Sequence, residues 1–143
     1  MKDLKVFAEH LKTIRVAQWE TLFVLIPEIE CANVFGRLIE SKQLEAGSYT
    51  FPYWIETEII TRTSNVIFQL DIMPVFDWMK WEEGRELLNS DNDFSSLDIL
   101  TLCKLLTYIY RLNRFNEGAL IGYFEAGTVK KILKALKSNI DKQ

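Results

Sequence analysis

The stretch from Ser95 to Leu112 constrains the fold of this chain more than any other. Its apolar residues, among them Leu106 and Ile109, recur at three-to-four spacing around most of a helix circumference. A helix that is apolar on nearly every side must be covered by other elements on nearly every side. The stretch therefore predicts a central helix, opened by a capping box formed by Ser95 and Asp98.

Other stretches with helical periodicity can supply that cover. The sequence predicts one amphipathic helix after an Asp3 cap, one that begins near Thr57 and ends before Pro74, and a lysine-rich helix capped by Thr128. Neither an internal repeat nor a linker composition divides the chain. We expect residues 1–143 to form a single domain, a compact and mainly α helical bundle.

The segment after Pro27 is the least regular part of the sequence. Proline lacks the amide hydrogen that a helix interior needs, so Pro27 is expected to end the helical stretch before it. Gly36, Gly47 and Pro52 interrupt this segment, and the letters SYTFPYWI are rich in aromatic and β-branched residues. We expect a short helix here and one short extended or β segment near residues 47–56.

Local signals predict how several helices begin. Asp77 is expected to cap a helix, with Phe76 before the cap packing on Trp81 as a hydrophobic staple. Asn116 is expected to cap a short helix that ends near Gly127, a residue suited to a left-handed turn. The chain between the central helix and the last helix is therefore predicted to turn twice.

Composition and charge indicate the compartment. The longest run without a charged residue is ten residues, 46–55, far short of the roughly 20 needed to span a bilayer. Charges are frequent near the N-terminus, where a signal peptide would need an apolar core. We expect a cytoplasmic protein with no membrane partner, in which Cys31 and Cys103 are reduced and mostly buried.

Few residues in this sequence could carry catalysis. His10 is the only histidine, and neither a second histidine nor a paired cysteine is present to complete a zinc site. Glycine patterns that cradle phosphates and the G-x-S-x-G elbow are missing. We expect no cofactor and no metal, and the sequence favours a protein that is not an enzyme.

Two segments resemble a family of small, uncharacterised prokaryotic proteins. One is the D-W-x-x-W-like segment FDWMKW, and the other is a leucine-rich helix that ends in RLNRFNEG, an R-x-x-R-F-x-E-G pattern. The resemblance covers about residues 75–137. It brings no activity, cofactor or partner with it, but it implies that the distinguishing positions are Asp77, Trp78, Trp81, Arg111, Arg114, Phe115, Glu117 and Gly118.

Five of these residues are candidates for binding a ligand or a partner: Trp78, Trp81, Arg111, Arg114 and Glu117. The last three are spaced by threes, which places them in one stripe on a continuing helix. The arginines could clamp Glu117, Asp77 or nearby carbonyl groups where the helix ends, which is the favoured interpretation. Alternatively, arginines and tryptophans could form a binding site, since both are enriched where binding energy concentrates.

The function is not determined by these observations, but they rank three hypotheses. The first is a binding or interaction protein, an adaptor or regulator whose partner is another protein. The second is an enzyme that acts on a small anionic substrate through Arg114 and Glu117, which requires both side chains to converge on one pocket. The third is a helix-turn-helix DNA-binding protein, which a bulky Tyr123 near the turn and an acidic net charge of -3 argue against. The oligomeric state is left open.

Overall fold

A computed structural model of the chain describes residues 3–89 and 91–143. The mainly α fold is confirmed, and the predicted central helix is present as α6 (Ile99–Phe115). The side chain of Asp98 caps it by accepting a 2.8 Å hydrogen bond from the backbone N–H of Thr101. The predicted capping box was wrong, because Ser95 donates instead to the carboxylate of Asp93.

Helix α6 lies in the core, as its sequence predicts. The last helix, α8 (Thr128–Asp141), packs against it and against the short helix α7 (Ala119–Glu125). Burial is continuous across these helices, so one apolar core runs through the described residues. The residues of α6 buried in that core are Leu102, Cys103, Leu105, Leu106, Thr107, Tyr108 and Ile109.

Three short helices form the N-terminal side. Helix α1 (Leu4–Thr13) begins at the predicted cap, where the Asp3 carboxylate accepts from the backbone N–H of Lys5. Helix α2 (Val16–Phe23) is followed by α3 (Ile26–Cys31). Helical structure continues through Pro27 because this proline lies in the first turn of α3, where no intrahelical amide bond is required.

A β-hairpin comes next in the chain, at the place where an extended segment was predicted. Strands β1 (Gly36–Ile39) and β2 (Tyr53–Glu56) pair antiparallel, with Leu38 opposite Trp54. A 3-10 turn, Glu45–Gly47, lies between the strands. The sequence missed β1, because its four residues carry no distinct alternation of apolar and polar side chains.

Helix α4 (Glu58–Leu70) leads to a short irregular segment and to α5 (Glu82–Asn89). The predicted cap at Asp77 was wrong: its side chain caps nothing, and a 3-10 turn, Trp78–Lys80, precedes α5. The predicted packing of Phe76 on Trp81 is confirmed, with ring centroids 5.5 Å apart in an edge-to-face arrangement.

The turns between the last three helices depend on glycine. Gly118 precedes α7 with φ of 91°, and Gly127 precedes α8 with φ of 81°, both in the left-handed region. The prediction for Gly127 is confirmed, while Asn116 and Thr128 do not act as caps. Asn113, instead of Asn116, provides a side-chain hydrogen bond to the first turn of α7: its side-chain oxygen accepts from the backbone N–H of Leu120 at 3.0 Å.

The two cysteines differ in their surroundings. Both are free, but only Cys103 is buried, and the prediction of burial was wrong for Cys31, which is exposed at the end of α3. Burial raises the pKa of the Cys103 thiol well above its usual value. Among the described residues, no helix has the length and apolar character needed to cross a membrane.

Candidate functional site

The end of α6 and the segment before α5 enclose an open cleft of about 280 Å³. We call it the arginine cleft, because two of the side chains that line it are arginines. Residues 74–79 cross the last turns of α6, so one wall comes from each of two segments about 35 residues apart in sequence. The lining residues are Pro74, Val75, Phe76, Trp78, Met79, Thr107, Arg111, Arg114 and Phe115.

Trp78 builds the wall between the cleft and the core. Its ring meets Tyr108 edge-to-face at a centroid distance of 5.2 Å and lies 6.2 Å from the ring of Phe115. Such pairs fix ring orientation and add to the stability from burial. The tryptophan is half-buried, so one part of it is held by the core while another faces the cleft.

Arg111 and Arg114 lie on the same face of α6 because they are three residues apart. Arg111 is half-buried and Arg114 is exposed. Within the described part of the chain, neither guanidinium takes part in an ion pair or a hydrogen bond. Asp77, one expected partner, lies 3.8 Å from Lys80 instead. The internal clamp favoured by the sequence is therefore not formed by the described residues, and none of these gives the two positive charges of the cleft a carboxylate partner.

Trp81 lies outside the arginine cleft. The Lys104 ammonium is 4.2 Å from the centre of its ring and 4.9 Å from that of Phe76, which places a cation over two aromatic faces. Gly84 lies directly under the indole, where any larger residue would overlap it. Trp81 thus has a packing role that accounts for it, although it shares the D-W-x-x-W segment with Trp78.

Glu117 belongs to a different cavity from the arginines. Its carboxylate accepts a 2.7 Å hydrogen bond from the backbone N–H of Trp54 in β2. With Trp54, Glu56 and Asn113 it lines a hollow of about 230 Å³ between the hairpin and the α6–α7 turn. Burial raises the pKa of Glu56 there. Arg114 lines the arginine cleft, so the convergence required by the enzyme hypothesis is not observed.

Three of the four lysines of α8 form ion pairs with residues outside the helix. The ammonium of Lys131 pairs with Asp91 at 2.5 Å, that of Lys134 pairs with Glu30 at 2.7 Å, and that of Lys137 lies 3.9 Å from Glu20. The opposite face of α8 is buried in the core. A recognition helix would need such lysines free to meet phosphates, so this arrangement gives the helix-turn-helix hypothesis no support.

No group of three or more histidine, cysteine, aspartate or glutamate residues in the described ranges is arranged to hold a metal ion. The structure brings Trp78, Arg111 and Arg114 together and places Trp81 and Glu117 elsewhere. Sequence reasoning missed Val75 and Met79 as walls of the cleft. The available signal was the presence of two large apolar side chains in a short irregular segment. No local pattern indicated that this segment lies against α6.

Comparison with known proteins shows how much of the chain matches a known family. A family model, described as a family of unknown function, matches residues 14–142. The expected membership in an uncharacterised family is confirmed, and the match begins well before residue 75, where the resemblance in the sequence was seen to start. No curated protein and no solved structure matches the chain.

Proposed function

This chain belongs to DUF6508, a family of unknown function, and we propose from the arginine cleft that it is a binding protein for an acidic segment of a partner protein. Such a segment presents a carboxylate beside an apolar side chain. An adaptor or regulatory role follows from this binding, because the cleft offers recognition without reactive groups.

One observation carries this proposal: the guanidinium groups of Arg111 and Arg114, which have no ion-pair partner in residues 3–89 and 91–143, share a cleft with exposed apolar side chains. Met79 is 68% exposed and Phe115 is 74% exposed. A planar guanidinium can bind a carboxylate through two parallel hydrogen bonds, which a lysine ammonium cannot do. Apolar surface next to such a pair excludes water and strengthens it.

The size of the cleft favours a peptide side chain over a whole small-molecule ligand. Pockets that enclose drug-sized ligands usually run from about 300 to 1,000 Å³, and the arginine cleft, at about 280 Å³, is below that range and open on one side. The cleft has room for one aromatic or aliphatic side chain. The remainder of a bound segment would lie along the exposed rim.

A cytoplasmic setting belongs to the same proposal. The two free cysteines, Cys31 and Cys103, fit a reducing compartment. Two competing functions have less support. An enzyme using Arg114 with Glu117 lacks a shared pocket, and DNA binding through α8 would require breaking its ion pairs.

The proposal is tested by selecting peptides from a displayed random library and measuring the selected ones as synthetic peptides by tryptophan fluorescence. We expect enriched peptides to share an acidic residue next to an aromatic or aliphatic one. Replacing both cleft arginines, as Arg111→Glu with Arg114→Glu, should weaken binding at least about tenfold. Binding should also weaken as salt concentration rises.

Arg85→Glu is the matched control, because Arg85 is an exposed arginine of α5 that does not line the cleft. It makes the same charge change as one of the cleft substitutions and should leave affinity nearly unchanged. Peptides without acidic residues, equal binding by the doubly substituted cleft variant, or a failure to select any peptide would each contradict the proposal.

A further inference from the structure

None of the eight residues of strands β1 and β2 is fully buried, and six of them are exposed. Most of the large exposed apolar side chains in the described ranges lie between Val34 and Ile55, and every residue of β2 is exposed. A two-stranded hairpin is only marginally stable in water by itself. Its exposed surface is therefore a candidate for contact with a partner, independently of the arginine cleft.

The backbone pairing leaves β1 with an open edge. Phe35, just before β1, and Thr57, just after β2, form a hydrogen-bonded pair, in which the N–H of Thr57 donates to the carbonyl of Phe35 at 2.9 Å. Leu38 lies three residues after Phe35, opposite Trp54. Hydrogen-bonded and non-hydrogen-bonded pairs alternate along an antiparallel ladder. Leu38 and Trp54 are therefore a non-hydrogen-bonded pair, and the N–H and C=O of Leu38 point away from β2. These two groups have no partner among the described residues.

The opposite edge of the hairpin is already engaged. Trp54 directs its N–H away from β1, and that N–H donates to the carboxylate of Glu117. The side chain of Glu117 thus takes the place that an added strand would need on β2. A strand joining this small sheet would meet less competition at β1.

We propose that β1 pairs antiparallel with β1 of a second copy of this chain, with the two-fold axis at Leu38. In this arrangement Leu38 exchanges two backbone hydrogen bonds with Leu38 of the second copy. Gly36 of each copy pairs in the same way with Glu40 of the other copy. Two hairpins become one four-stranded sheet, in which both β1 edges are satisfied.

Charge and bonding select this register. Registers centred on Arg37 or Glu40 would place like charges directly opposite each other, which is destabilising. The register centred on Leu38 places Arg37 opposite Ile39 and Glu40 opposite Gly36. A register centred on Ile39 would leave the outward groups of Gly36 unused. Leu38, which is 44% exposed, meets its own counterpart and covers apolar surface on both chains.

The contact is short, so we expect a weak dimer whose population depends on protein concentration. It is smaller than the standard interface of roughly 1,600 Å². Sedimentation equilibrium of the full chain at concentrations up to about 1 mM covers the range in which such a dimer is populated. We expect the wild type to dimerise with a dissociation constant of about 1 mM or tighter.

Two substitutions test the geometry of the edge. Leu38→Lys opposes two positive charges at the axis, while its aliphatic stem can still cover Trp54. Leu38→Pro removes an N–H that points away from β2, at a position where an edge strand tolerates proline, and leaves an apolar side chain there. Each is expected to raise the dissociation constant at least about tenfold, with circular dichroism and urea unfolding close to those of the wild type.

Val6→Lys is the control, because it also replaces an exposed apolar side chain by lysine, but on α1 and away from the hairpin. Val6 is 61% exposed. It should leave dimerisation unchanged. A wild type that stays monomeric at about 1 mM would overturn the proposal. So would a dimer that survives both Leu38 substitutions, or one that Val6→Lys weakens equally. None of these outcomes bears on the peptide-binding proposal, which the cleft variants test separately.

Discussion

The Glu117 carboxylate holds the backbone N–H of Trp54 at 2.7 Å, which joins the end of the central helix to a hairpin strand 63 residues earlier. The next residue, Gly118, lies against the Trp54 indole with φ of 91°. The E-G end of the R-x-x-R-F-x-E-G pattern therefore fastens the hairpin to the helices. Its R-x-x-R start lines the arginine cleft on another side of the same helix end.

Glu117→Ala should destabilise the protein by about 1 kcal/mol, a typical net contribution of one hydrogen bond. The carboxylate is exposed, which limits the loss, but removing it leaves the Trp54 N–H dependent on water. Urea unfolding followed by tryptophan fluorescence measures the change. Glu125→Ala, another exposed glutamate close by on α7, is the control; an equal loss in both variants would show that the Trp54 bond contributes nothing.

Gly118→Ala should be more damaging than Gly47→Ala, although both glycines have positive φ values, 91° and 80°. A methyl group at Gly118 would lie 2.7 Å from Nε1 of Trp54, whereas one at Gly47 meets nothing within 4 Å. The left-handed conformation costs each alanine roughly 1–2 kcal/mol. We expect the loss for Gly118→Ala to exceed that for Gly47→Ala by about 1 kcal/mol, from overpacking.

The comparison is made by urea unfolding of the two variants side by side. Equal losses would mean that Trp54 moves away freely, and the described packing of the indole on Gly118 would then be wrong.

Arg114→Ala should change stability by no more than about 0.5 kcal/mol, the usual range for surface substitutions. The reason is that Arg114 is exposed and has no ion-pair partner among the described residues. Arg62→Ala is the comparison, because Arg62 binds Glu28 through two hydrogen bonds of 2.6 and 2.9 Å. Urea unfolding should show a larger loss of stability for Arg62→Ala than for Arg114→Ala. A larger loss for Arg114→Ala would instead support the interpretation of Arg114 as an internal clamp.

Tyr110 should make the stability fall at alkaline pH. Burial raises the pKa of its phenol, and the carboxylate of Glu56 adds to this, against the hydrogen bond with Ser64 at 2.7 Å. A pKa that is higher in the folded than in the unfolded chain contributes stability below the unfolded value of 10.0 and loses it as pH rises beyond that value.

Urea unfolding of the wild type and Tyr110→Phe between about pH 8 and pH 11 measures this effect. The wild type should lose stability relative to Tyr110→Phe as the pH passes 10, the unperturbed phenol pKa. Parallel pH profiles for the two proteins would mean that the phenol titrates normally in the folded state.

Much of this architecture is readable from local sequence. The apolar circumference of α6 identifies a buried helix without any knowledge of its neighbours, and Gly127 marks a turn because few other residues adopt its conformation. Helix starts were less predictable. At Asp77 and Ser95 a suitable side chain is present, but the chain direction there, which depends on distant packing, puts it out of reach of the first turn.

The candidate site shows the same division. Trp78, Arg111 and Arg114 were identified as a group and do share a cleft. Their neighbour Glu117 has the right helical spacing to join them, but α6 ends at Phe115, and Gly118 turns the chain toward the hairpin. Helical periodicity cannot be extended past the last helical residue, so the predicted stripe of three was too long by one member.

The sequence by itself determined the mainly α class, the burial of the central helix and the presence of two adjacent arginines on it, since these depend on residue spacing within one element. Only the tertiary structure decided that the arginines have no acidic partner among the described residues, that Glu117 holds β2 instead, and that β1 keeps an open edge. The physical reason is that ion pairs and strand edges join residues far apart in the chain. Their partners depend on how whole elements pack, and no local pattern records that.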